Sequence, residues 1–171
     1  MKEQDVLRRC FVVVLILFLI CSVVVLTLDL QLRNEITPEG IVAFEFCGFT
    51  ATCSDALRAW SEVQVRTLIL LLGIDYLYLF LYPAALVLAI ALLRRKLNEY
   101  SQPISPSLLV LGAGISAADA IENVGSLSMI FYGDASFPAL LSAVCATMKF
   151  LLLGVGFLWL VLLLLRLRAL R

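Results

Sequence analysis

Asp119, Glu122 and Asn123 stand at i, i+3 and i+4 in the stretch SAADAIENVGS, so on a helix they share one face, which Ser116 and Ser126 extend by about a turn each way. A second polar stripe, Asp75, Tyr78 and Tyr82, has the same helical spacing, and Lys149 stands alone in a further apolar run. Ionisable groups in segments this apolar cost roughly 2.5–3.5 kcal/mol each on membrane-insertion scales, so they turn inward and find partners. Counting a rise of about 1.5 Å per residue from the ends of the apolar runs brings Asp75, Glu122 and Lys149 to a similar level. Asp119 falls nearly a turn deeper. One buried cluster of Asp75, Tyr78, Tyr82, Asp119, Glu122, Asn123 and Lys149 accounts for all of these residues.

Three carboxyls against one ammonium leave a net charge of minus two if all ionise, which a low-dielectric interior does not tolerate. Either some carboxyls keep their protons, or a cation or a water-filled cavity compensates. A structural ion pair needs one acid per base, whereas surplus carboxyls at this depth are what proton and cation pathways use. Two readings stay open. The cluster is a small-ligand, cation or proton site, or it only holds the helices of a structural or accessory membrane subunit together.

Enzymatic chemistry has less behind it. Asp119 and Glu122 are paired carboxyls, but no nucleophile has a base beside it, and no metal-ligand constellation or phosphate-binding loop is evident. The fragment GAGIS, from Gly112 to Ser116, follows no strand and lies in an apolar run, so helix packing explains it better than dinucleotide binding. Histidine is absent, which removes the commonest metal ligand and neutral-pH proton shuttle. No cofactor, metal or nucleic-acid partner is expected. The lipid bilayer is, and a second copy or another membrane protein could join it.

The elements that must position these residues follow from composition. With 63% hydrophobic and 15% charged residues in 171, the chain is far more apolar than a soluble domain. Four apolar runs, at about 11–28, 67–93, 108–132 and 139–165, are each long enough to span a bilayer. The first reads as an uncleaved anchor, because TLDLQLRNE offers no small-residue cleavage site. The predicted fold is all-α: a polytopic membrane protein built as an up-down four-helix transmembrane bundle, a single domain with one short extracytoplasmic segment at 30–65. Lys2, Arg8 and Arg9, then Arg94, Arg95 and Lys96, then Arg166, Arg168 and Arg171 all fall on one side of four such spans. The positive-inside rule makes that side, with both termini, cytoplasmic. Pro103 and Pro106 should break the cytoplasmic connection, and Gly133 and Asp134 form the tight turn between the last two spans. Pro83 should bend the second span and free a carbonyl near Leu79 that needs a new partner. The small residues Gly112, Gly114, Ala117, Ala118 and Ala120 should let neighbours approach the third span closely.

In the outer segment, IVAFEFCGF is too apolar for a solvated loop and should lie on the bundle or re-enter slightly. TCSDALRAWSEVQVR reads as an amphipathic helix capped by Thr52 or Ser54 and continuous with the second span, with Trp60 as an interfacial anchor. Cys47 and Cys53, on the oxidising side, form a structural disulfide or remain two free thiols; a catalytic dithiol would need tighter C-x-x-C spacing. Cys10, Cys21 and Cys145 read as small buried hydrophobes.

The FEF of 44–46, Trp60, DYLYLFLY of 75–82, DAIEN of 119–123 and Lys149 together resemble an uncharacterised family of small bacterial four-helix membrane proteins. The resemblance covers most of the chain. It implies the four-span topology and a plasma (inner) membrane address, and no activity or substrate.

Overall fold

The computed structural model describes residues 2–97, 104–133 and 136–170. Pro103, Asp134 and Arg171 lie outside them, as does the side chain of Lys2. The described residues contain helices and no strand. Helix α1 (Lys2–Asp29) runs into a 3-10 turn at Leu30–Leu32. Three short helices follow, α2 (Ile41–Glu45), α3 (Cys47–Thr50) and α4 (Cys53–Ala59), and then three long ones, α5 (Glu62–Lys96), α6 (Pro106–Tyr132) and α7 (Ser136–Ala169). The helices α1, α5, α6 and α7 are long and apolar enough to cross a membrane.

Local chemistry sets the helix ends. Ser61 adopts an extended conformation, its hydroxyl accepts from the Gln64 N–H, and the Gln64 side chain takes the Ser61 N–H. This reciprocal capping box satisfies donors that the first turn would leave open. It also separates α4 from α5, so the helix expected to lead unbroken into the second span is interrupted at Trp60. Thr52 occupies the cap position of α4 without bonding its backbone; its hydroxyl pairs with that of Thr50 instead, at 2.7 Å. Pro106 is the first residue of α6, where a missing N–H costs nothing, so it starts that helix rather than breaking a connection. Inside α5, Pro83 has no N–H to offer the Leu79 carbonyl; Ser116 Oγ of α6 donates to that carbonyl at 2.7 Å.

Helix α1 packs on α5, α6 on both α5 and α7, and α3 on α7. The apolar core is divided in two. One part gathers Leu32, Phe44, Leu68, Leu71, Leu72 and Met129, and the other Leu86, Val87, Ile90, Leu108, Ile115 and Leu163. Along α5 and α6 the polar residues 75–82 and 116–126 fall between these parts, so they form a layer with apolar packing above and below. A Cβ at Gly125 would stand 2.9 Å from the Pro138 carbonyl and 3.2 Å from Ser142 Cβ. Only glycine lets α6 and α7 meet so closely, and there Ser126 and Ser142 pair their hydroxyls at 3.1 Å.

Trp60 is buried rather than interfacial: its Nε1 donates to Leu32 O at 2.7 Å and its ring lies 5.2 Å from that of Phe44. Of the three cysteines expected to be buried, only Cys145 is; Cys10 is exposed and Cys21 half-buried, because α1 has one packed side and turns the rest outward. Arg94, counted above with the cytoplasmic charges, is buried with its guanidinium 5.5 Å from the Trp159 ring centre and Nη1 donating to Ser105 Oγ at 2.7 Å.

Candidate functional site

Lys149 is the hub of the polar layer. Its Nζ lies 2.6 Å from Glu122 Oε2, 3.0 Å from Asp119 Oδ1 and 3.5 Å from Glu45 Oε2. Three helices, α2, α6 and α7, thus converge on one ammonium. The spacing of Asp119 and Glu122 puts both carboxyls on the α6 face turned to α7, as an i, i+3 pair should be. Tyr82 OH donates to Asp119 Oδ2 at 2.7 Å, tying α5 to the same carboxyl. Asn123 Nδ2 donates to Asp75 Oδ2 at 2.6 Å, so Asp75 joins the layer through an amide rather than through Lys149. Tyr78 borders the layer on its α1 side: its ring lies 5.2 Å from that of Tyr82 and stacks on Phe18, and its hydroxyl pairs with Ser22 of α1 at 3.2 Å.

Glu45, within the IVAFEFCGF of the segment before α5, was not among the cluster residues read from the sequence. The segment folds inward. Asp29 Oδ1 accepts the Ile41 N–H at 2.7 Å and so caps the first turn of α2, while Arg33 holds the other Asp29 oxygen at 3.0 Å. Phe44 packs against Trp60, and Phe46 stacks on Phe150 of α7 at 5.9 Å. Cys47 and Cys53 are joined by a disulfide that closes α3 onto α4. Gly48 lies so close to the backbone of Ala139 that any larger side chain would collide with it. Placed by these contacts, Glu45 is 6% exposed. Burial pushes it above the ordinary carboxylate range, an effect that Lys149 opposes and Asp119 reinforces.

The layer therefore holds four carboxyls, not three, beside one ammonium: Glu45, Asp119 and Glu122 contact Lys149, and Asp75 is tied in through Asn123. If all five groups ionise, the layer carries a net charge of minus three. Glu122 is fully buried and its Oε1 has no hydrogen-bond partner. The neighbouring Glu45 cannot supply one as a carboxylate, since two carboxylates are both acceptors and bond only through a proton. Among the described residues no three His, Cys, Asp or Glu side chains are arranged to hold a metal ion.

The layer is not closed on all sides. A cavity of about 440 Å³ lies between α1, α5 and α7, and Glu45, Asp75, Tyr78, Tyr82, Asp119 and Lys149 form its polar end. Its other walls are apolar, with Phe11 and Leu15 from α1 and Leu153, Phe157 and Leu160 from α7. The volume falls within the roughly 300–1,000 Å³ of small-molecule sites, and the mixture of apolar walls with a few converging polar groups is typical of them. Asn123 and Glu122 stand behind the exposed groups and position them.

No family model matches the chain, and neither a curated protein nor a solved structure is significantly similar to it.

Proposed function

We propose that the chain crosses the plasma (inner) membrane four times as an up-down bundle, with both termini cytoplasmic, and that the cavity on its acid-rich layer is a binding site for a small ligand or cation. Exposed apolar side chains around α1 and α7, such as Val23, Leu26, Leu151 and Leu158, support the insertion, since water would not leave so many uncovered. Arg8, Arg9, Arg95, Lys96, Arg166 and Arg168 gather toward one end and the Cys47–Cys53 disulfide toward the other, which supports the orientation.

The observation that carries the site is the cavity wall itself: acidic groups in excess of the single lysine border an apolar space large enough for a guest. A network serving only to join helices has no reason to leave such a space beside its charges. The alternative, a structural or accessory subunit, draws on Lys149 holding α2, α6 and α7 together. Thermal unfolding in detergent separates the two. Methylammonium chloride should raise the unfolding temperature of the protein above that in sodium chloride of equal ionic strength, and Asp75→Asn should remove the increment while keeping the fold. Equal curves in the two salts, or an undiminished increment in Asp75→Asn, would favour the purely structural network.

A further inference from the structure

We infer that the ligand is a lipophilic amine: a positively charged head seated against Asp75, with an apolar tail lying between α1 and α7. The inference rests on the binding-site reading above. Asp75 supplies the recognition. Asp75 lines the cavity, its Oδ2 accepts from Asn123, and no other hydrogen bond reaches its carboxylate among the described residues. An acceptor left open in an apolar space calls for a donor, and a charged donor satisfies it best. Phe18, Tyr78 and Tyr82 also line the cavity, so aromatic rings stand beside the carboxylate. A cationic head also offsets the excess of carboxyls over Lys149, while an anionic head at this end would add to it.

The tail follows from the rest of the wall. Phe11, Leu15, Leu153, Phe157 and Leu160 extend the cavity away from the acids with no further polar group. Phe150 and Phe157, both in the cavity wall, are 44% and 56% exposed, so the cavity is open along α7 and a guest can enter on that side. Beyond Phe11 and Leu160 a second space of about 600 Å³ reaches Arg8 and Lys96. A lipophilic acid would therefore seat with the opposite polarity, its head at the basic end and away from Asp75.

The test places one thiol in the apolar arm. In a Cys10→Ser, Cys21→Ser, Cys145→Ser background, which keeps the Cys47–Cys53 disulfide, Leu153→Cys is reacted with N-ethylmaleimide in lipid nanodiscs and followed by intact mass. Dodecylamine is added as the probe, with dodecanol and dodecanoate as controls. At about ten times its Kd, dodecylamine should slow labelling about tenfold, with the controls changing it by less than about twofold. Adding Asp75→Asn should raise the Kd about tenfold or more, so that the same amine concentration slows labelling about twofold or less, and Asp75→Glu should restore part of the protection. Should Asp75→Asn fail to fold, Leu15→Trp, which fills the apolar arm, is expected to abolish protection in its place. Equal protection by dodecanol would mean that the head is not recognised, and stronger protection by dodecanoate would assign recognition to the basic end; either overturns the proposal. A thiol that reacts only after unfolding would overturn the binding-site reading itself, a different result from labelling that no amine slows.

Discussion

Lys149 decides whether the polar layer can exist at all. Its ammonium lies within 3.5 Å of three carboxyls from two other helices. Removing one partner of a buried ion pair leaves charge uncompensated in a low dielectric, which costs roughly 3–5 kcal/mol. Lys149→Met is therefore expected to lower the unfolding temperature in detergent markedly, and Lys149→Met with Glu122→Gln to recover part of the loss. Equal stability of the single and wild-type proteins would show that the carboxyls do not depend on the ammonium. At this scale much was legible beforehand: helical spacing and depth alone brought Asp119, Glu122, Asn123 and Lys149 together. Glu45 was not, because a residue in the irregular segment between α1 and α5 has no helical register against the long helices. Its one signal was its position inside the apolar IVAFEFCGF, where an acid has to be buried with the side chains around it.

Helix α5 shows how the elements hold this layer at its level. Pro83 removes one backbone donor, and Ser116 of α6 bonds the carbonyl thus released. The sequence located that carbonyl near Leu79, since a proline always abandons the residue four before it; which neighbour would answer depended on helix rotation, which periodicity leaves free. Ser116→Ala should cost roughly 1–3 kcal/mol by leaving the Leu79 carbonyl unpaired. In a Pro83→Ala background, where an N–H returns, the same substitution should cost much less. A double-mutant cycle on unfolding free energies in detergent measures the difference, and additive effects would mean that the two residues act separately. The break between α4 and α5 was also written in the sequence, as the S-x-x-Q of Ser61 to Gln64, but the apolar face formed by Ala56, Leu57 and Trp60 concealed it. A capping box and a continued amphipathic pattern compete, and here the local hydrogen bonds won because Trp60 was needed inward against Phe44 and Leu32.

At the scale of the whole molecule, two apolar cores with an acid-rich layer between them leave a cavity on the side where α1 lies on α5 and α7 completes the wall. The four long apolar helices were legible from composition and run length, because 20-residue hydrophobic segments have few alternatives. The cavity was not, since a space between helices depends on how each side chain fills it. A closed layer can only stabilise the bundle; one that faces a cavity can receive a guest. The most direct discrimination is the reactivity of Asp75→Cys, in the Cys10→Ser, Cys21→Ser, Cys145→Ser background, toward the small cationic reagent trimethylammonium-ethyl methanethiosulfonate. Modification of the folded protein in detergent is the expected result, and complete protection until the protein is unfolded is the one that would contradict a ligand site.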